Sequence, residues 1–410
     1  MREAWHPHLL DQSGLTSPTT TIDQVRTSVR HEGDPPFGPS PPARTRPAPE
    51  RGGMRFADEV KNAVTPRAAL LVLGVLALQL LFIASYVGAL HHPRPTDVPF
   101  GVVAPGAAAG RTADQLAKLP GDPLDPRVVR DAAGARRQIM HREIDGALLV
   151  APRGTTDTLL VASGGGAALA NALTTITTEA EKARQRTVRT VDVAPASRED
   201  FNGLSAFYLV VGWCVGGYLC ASILAISAGS RPSSPQRAVI RLAVIALSGI
   251  AGGLGGALIV GPLLGALPGS VAALWGLGAL VVFAVGAATL ALQALTGVVG
   301  IGLAVLLIVI AGNPSAGGAF PGPMLPDFWR TIGPGLPPGA GTWAARSIAY
   351  FKGNAISGSM QVLAIWGVIG TALTLVASAL HRHDGARQPE PGPEPVRAPG
   401  AEPVNPKPHP

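Results

Sequence analysis

The chain has 410 residues, 47% of them hydrophobic and only 14% charged, against about a quarter charged in a typical soluble domain. Its formal net charge of +7 is scattered through two tails and one polar region with no interleaved aromatics, which argues against a nucleic-acid-binding surface. No Asp, Glu, Lys or Arg occurs between Leu242 and Pro326, and a soluble fold cannot keep that length of uncharged chain in water, so the composition predicts an α-helical integral membrane protein.

Residues 1–53 are polar and Pro-rich and are expected to form a disordered tail. Residues 54–67 contain "RFADEVKNAV", where Phe56, Val60, Ala63 and Val64 recur at helical spacing with charges between them. That pattern fits either an amphipathic helix lying on the membrane surface or a plain polar flank. The apolar run at 68–90 is long enough, at about 1.5 Å per residue, to cross a hydrocarbon core of about 30 Å, and is read as the first transmembrane helix.

Residues 91–201 are polar and predict an α/β domain inserted between the first and second spans. Strands are read at "VPFGVVAP", "GALLVAP", "DTLLVAS" and "VRTVDVAP", and helices over 131–145 and from Ala167 to Arg186. "SGGGAALANAL" fits neither GxGxxG nor a phosphate loop and is read as a glycine-rich turn leading into a helix. No nucleophile, base and acid stand together, so no enzyme activity and no cofactor are expected.

Residues 202–312 predict transmembrane helices two to five, at about 207–227, 242–264, 271–292 and 297–312. Cys214 and Cys220 lie six apart in one apolar segment, off a common face, and read as small buried hydrophobes rather than a metal or disulfide pair. The His clusters in the tails are read as exposed, and no metal site is expected. Small residues repeat at Gly249–Gly253 and Gly252–Gly256, a spacing that lets helices approach closely or slide past one another.

Residues 313–358 open with "NPSAGGAFPGPMLPDFWRTIGPGLPPG", in which seven prolines and six glycines fall within 27 residues. No uninterrupted helix or central strand tolerates that density. The apolar anchors between the prolines, among them Phe320, Met324, Phe328 and Trp329, predict short broken helices re-entering the membrane; an ordinary surface loop is the alternative. Residues 359–380 are the sixth span, and 381–410 a second Pro-rich disordered tail.

Six spans place both termini on one side. Arg55, Lys61 and Arg67, then Arg231, Arg237 and Arg241 in the short loop between spans two and three, then Arg382 and Arg387, all fall on that side. The positive-inside rule makes it the cytoplasm of a multi-pass cell-membrane protein, with the α/β domain and residues 313–358 outside. Arg330, Arg346 and Lys352 run against the rule without reversing the count. Spans two to five carry no ionisable residue in their cores, which disfavours a proton-driven transporter.

"REIDGALLV", "FNGLSAFYLVVGWCVGGYL" and "GNPSAGGAFPGPMLPDFWRTIGPGLPPGAGTWAARSIAYF" resemble ABC-2-type transporter permeases, in particular the actinobacterial branch with a large outer domain related to phage-infection (YhgE/Pip-like) membrane proteins. The resemblance covers roughly residues 54–382. It implies an exporter permease subunit, a homo- or heterodimer in the lipid bilayer, that moves a hydrophobic or amphipathic compound outward with a separate ATP-binding subunit. It assigns Arg231, Arg237 and Arg241 to an ATPase-coupling loop. It assigns Asn313, Pro314, Gly317, Gly318, Pro326, Trp329, Arg330, Pro337 and Arg346 to an outer re-entrant gate. The chain carries no Walker A of its own. The other reading is a non-transporting envelope protein, a secretion component, receptor or scaffold, whose outer domain binds a partner.

Overall fold

A computed structural model describes residues 65–385 except 231 and 233, and leaves aside the side chains of 67 and 381–385. The expected amphipathic segment before Thr65, the two tails beyond these limits and Arg231 lie outside the described residues.

Among the described residues, five helices are long and apolar enough to cross a membrane. They are α1 (Pro66–Leu90), α5 (Ser205–Ala228), α6 (Pro235–Leu258, continued by a π turn Ile259–Leu263), α7 (Val271–Thr296) and α11 (Ser357–Gly385). The expected fifth span is shorter. It runs Val299–Ser315 as α8, and its middle, Val305–Gly312, is π-helical. Pro314 lacks the N–H that would close the last α turn, and a wider turn relieves the clash of its ring with the carbonyls behind it. Pro262 sits inside the π turn of α6 in the same way.

Helix starts follow local chemistry. Thr65 and Ser234 each accept a backbone N–H (from Ala68 at 3.2 Å and Arg237 at 3.3 Å), and Pro66 and Pro235 occupy the first helical positions. The Ser-Pro pair starts α6 about two turns before the expected Leu242, so Arg237 and Arg241 stand on a helix and not in a loop. At the other end of the chain α11 continues to Gly385, past the position expected to begin the tail.

Between α1 and α5 in the chain lies the α/β domain: β1 (Val98–Val103), α2 (Ala108–Leu116), β2 (Leu124–Val128), α3 (Ala132–Met140), β3 (Gly146–Leu149), β4 (Thr156–Val161), α4 (Ala167–Ala183) and β5 (Thr187–Asp192). The sheet order is β2-β1-β3-β4-β5, parallel except for the β3–β4 pair. Alternating side chains divide it into two cores. Phe100, Leu148, Leu159 and Leu173 pack with α2 and α4, while Ala147 and Leu160 face Ile139 of α3. The four expected strands are present. β2 was not anticipated, because "LDPRV" carries Pro126; as an edge strand it needs no second ladder on that side.

The helical bundle is organised around α7, which packs against α5, α6 and α11. Gly249 and Gly253 of α6 let the two backbones meet: a Cβ at Gly253 would fall 2.6 Å from the Ala279 nitrogen, and one at Gly249 2.9 Å from the Ala279 oxygen. The α/β domain docks at the end of the bundle that holds the α6–α7 turn, where Ser197 Oγ donates to the Gly265 oxygen at 3.0 Å. This is the sheet end; the α5–α6 connection marks the far end.

Candidate functional site

The proline- and glycine-rich segment is folded and packed at the sheet end. After Ser315 come a short 3₁₀ turn (Gly322–Met324), α9 (Asp327–Ile332), another 3₁₀ turn (Gly333–Gly335) and α10 (Pro337–Tyr350). The prolines begin these pieces, with Pro326 preceding α9 and Pro337 and Pro338 opening α10, where a missing N–H costs nothing. All of α10 is buried except Trp343 and the partly covered Ala349. It packs on α5, α7 and α11. Close approach requires glycine here: a Cβ at Gly333 would fall 2.1 Å from the Ser315 oxygen, and one at Gly341 2.6 Å from Val210.

Arg346 ties this segment together. It is 3% exposed and donates to the carbonyls of Gly317 (2.7 Å), Gly318 (2.7 Å) and Gly203 (3.1 Å). One side chain therefore joins α10, the turn after α8 and the loop leading to α5. Beside it, Tyr350 donates its hydroxyl to Asp200 Oδ2 at 2.8 Å, and Asp200 Oδ1 accepts from the Ser205 backbone and hydroxyl. Of the expected gate residues, Asn313, Pro314, Gly317, Gly318, Pro337 and Arg346 are buried in this cluster. Asn313 Oδ1 has no hydrogen-bond partner among the described residues. Pro326 is exposed, and Trp329 stacks edge-on against Phe328 at the margin. Arg330 pairs with Asp327 (2.7 Å) and donates to the Thr96 oxygen (3.2 Å), tying α9 to the lead into β1.

Sequence reasoning missed Arg142. It follows α3 with φ of +59°, a left-handed conformation that costs a side-chain-bearing residue about 1 kcal/mol. From there its guanidinium lies 3.3 Å from the centre of the Trp343 ring and 4.8 Å from that of Phe351. It donates to the Trp343 oxygen and Ser347 Oγ, both at 3.0 Å. Burial, then the charge of Arg346, lowers its proton affinity to about 9, against the opposing pull of Asp145. Burial pushes the Asp145 carboxyl up to about 6, and the Arg142 charge only partly offsets this. Arg142 and Asp145 border a water-sized cavity of about 20 Å³ with Gly165, Gly166 and Phe351. The "SGGG" turn also gains its reason here: a Cβ at Gly164 would meet Tyr350 at 2.5 Å, and one at Gly166 would meet Pro321 at 2.3 Å.

At the far end, Arg241 is turned inward, 5% exposed, and donates to the carbonyls of Ala228 (2.7 Å) and Gly229 (2.8 Å). It satisfies the C-terminal carbonyls of α5, a favourable place for a cation. That contact, rather than a partner-facing loop, occupies its guanidinium. Arg237 is exposed on the first turns of α6.

A cleft of about 600 Å³ runs between α5 and α6, lined by Tyr208, Gly212, Trp213, Gly216, Cys220, Ser248, Gly252 and Val260 among others. The Gly252–Gly256 repeat therefore differs from Gly249–Gly253. Gly256 lies under Trp213, and Gly252 faces open space.

These features define a multi-pass membrane protein architecture carrying a small α/β domain. Comparison of the chain with protein-family models, curated proteins and solved structures returns no match.

Proposed function

We propose that the chain is the permease subunit of an ABC-2-type exporter, moving a hydrophobic or amphipathic compound outward with the energy of a separate ATPase. The observation that carries this reading is the buried proline-broken element at the sheet end. It covers α5, α7 and α11, whose apolar lengths hold no acidic or basic side chain. A bundle without ionisable groups at depth suits apolar cargo and leaves no relay for a proton gradient. On this reading α8 is the fifth of six spans, shortened because the broken helices complete its crossing. The α/β domain and the Arg346 cluster then face outward as a gate, both termini are cytoplasmic, and the far end with Arg231 and Arg237 meets the ATPase.

Affinity purification of the full chain from its own membranes, with ATP-driven dye efflux from proteoliposomes, tests the proposal. The expected result is a stoichiometric ATP-binding subunit that is lost on reversing Arg231 and Arg237 to Glu. Retention of that subunit after both reversals removes the coupling assignment. Efflux that proceeds without any ATPase removes the exporter class.

One observation favours the second reading, a non-transporting envelope protein. β5 is an edge strand whose residues are mostly exposed, a template on which a partner strand can add. Efflux activity of the purified chain decides against that reading.

A further inference from the structure

The cleft between α5 and α6 is not a packing defect. Both helices pack more extensively on α7 than on each other, which leaves a trough lined by Trp213, Val260 and Val282. Glycines keep it open. A Cβ at Gly212, Gly216 or Gly252 would find no atom within 4 Å, so close packing is not what requires glycine at these positions. The contrast with Gly249 and Gly253 on the same helix is direct, since there a Cβ would strike α7.

The lining is graded along its length. Trp213 Nε1 is committed to the Gly252 oxygen (3.1 Å) and Ser248 Oγ to the Ile245 oxygen (3.0 Å), so the deep part is apolar in effect. At the sheet end the Tyr208 hydroxyl makes no hydrogen bond among the described residues, and the residue is 63% exposed. From Ser205 to Cys220 the cleft follows α5 for about 20 Å, enough to cross one leaflet of about 15 Å of hydrocarbon. On the same stretch of α5, Leu219 and Ile223 are exposed and apolar.

We infer that this cleft seats one acyl chain of a membrane phospholipid, with the headgroup at the Tyr208 end and the chain running over Gly212, Gly216 and Gly252. A cleft of this volume is ligand-sized. The open side lets a chain enter sideways from the bilayer, and a polar group at only one end matches one chain of an amphiphile rather than a polar solute. The inference concerns binding and holds whether or not the chain exports anything.

The test reconstitutes the full chain in vesicles of phosphatidylethanolamine and phosphatidylglycerol doped with phosphatidylglycerol bearing a diazirine on its sn-2 chain. Photolabelled peptides are then mapped by mass spectrometry. Labelling is expected to concentrate on the α5 and α6 residues of the cleft. It should fall about tenfold, the equivalent of about 1.4 kcal/mol in seating, when Gly216→Leu and Gly252→Leu fill the trough. Both glycines have room for a Cβ, and an unchanged melting temperature verifies that the Leu variants fold; if the Leu pair melts early, the milder Gly216→Ala and Gly252→Ala pair provides the same comparison with a smaller loss. Labelling spread evenly over α1, α6 and α11 and indifferent to filling overturns the inference. So does a change of oligomeric state on filling with labelling unaltered, which would make the cleft a helix-docking face between copies.

Discussion

Two buried arginines, one at each end of the bundle, do related work with different reach. Arg346 and Arg241 are 3% and 5% exposed, and neither has a carboxylate within salt-bridge distance among the described residues. Each spends its guanidinium on backbone carbonyls. Arg241 holds the last carbonyls of the helix just before its own. Arg346 spans three segments, two of them lying far back in the chain. Burying a cation is costly unless its hydrogens find acceptors; here carbonyl oxygens at a helix end and at glycine turns serve part of each guanidinium, and Arg241 Nη1 and Arg346 Nε stay without a partner among the described residues. The far end uses this to finish one helix. The sheet end uses it to hold a whole segment in place.

That difference orders the expected effects of mutation. Arg346→Met should be the most damaging, about 3 kcal/mol or more, because it leaves three carbonyls unsatisfied in a closed site; thermal unfolding in detergent measures it. Lys at the same position should rescue poorly, since a single ammonium cannot reproduce the planar fork. Arg142→Ala removes two hydrogen bonds and two cation–π contacts, and should cost about 2 kcal/mol. Its clearer readout is faster proteolysis between the α/β domain and α5. Arg241→Met should cost about 1 kcal/mol, read as a small drop in melting temperature with the sheet end unaffected. Equal losses for Arg346→Met and Arg241→Met would erase the distinction between the two clamps.

The remaining effect is a pH dependence at the sheet end. The folded protein raises the Asp145 carboxyl to about 6, so folding favours its neutral form. The associated stability is fully present below about pH 4, the value for an unfolded chain, and is lost as pH rises through about 6. Asp145→Asn should flatten that decline and melt higher than the parent at pH 7.5. A parent melting temperature that stays level between pH 4 and 7, or an equal decline in the variant, would remove Asp145 as its source.

Much of the chain was readable because its signals are local. Runs such as "VAALWGLGALVVFAVGAATL" announce a buried helix without reference to anything else. "GALLV" and "DTLLV" announce strands, and they pair antiparallel as β3 and β4. The Asn313–Gly339 stretch announced broken helices through its spacing of prolines and apolar residues, and short packed helices are what it forms. The failures also have particular causes. Pro126 disguised an edge strand. Ser234 and Pro235 started α6 early, which moved Arg237 and Arg241 out of the loop expected to hold them. Arg142 gave no signal at all, since its partners Trp343 and Ser347 lie some two hundred residues away.

By itself the sequence determined the membrane character, the order of apolar helices and the place of the α/β domain in the chain. These follow from composition and from periods of two and 3.6 residues, which a chain carries without knowing its neighbours. Only the tertiary structure decided which glycines of two interleaved repeats on α6 are packed and which one lies open. Gly249 and Gly252 stand three residues apart with the same chemistry. One meets the backbone of α7 and the other faces a cleft, because burial depends on what a distant segment brings to that face.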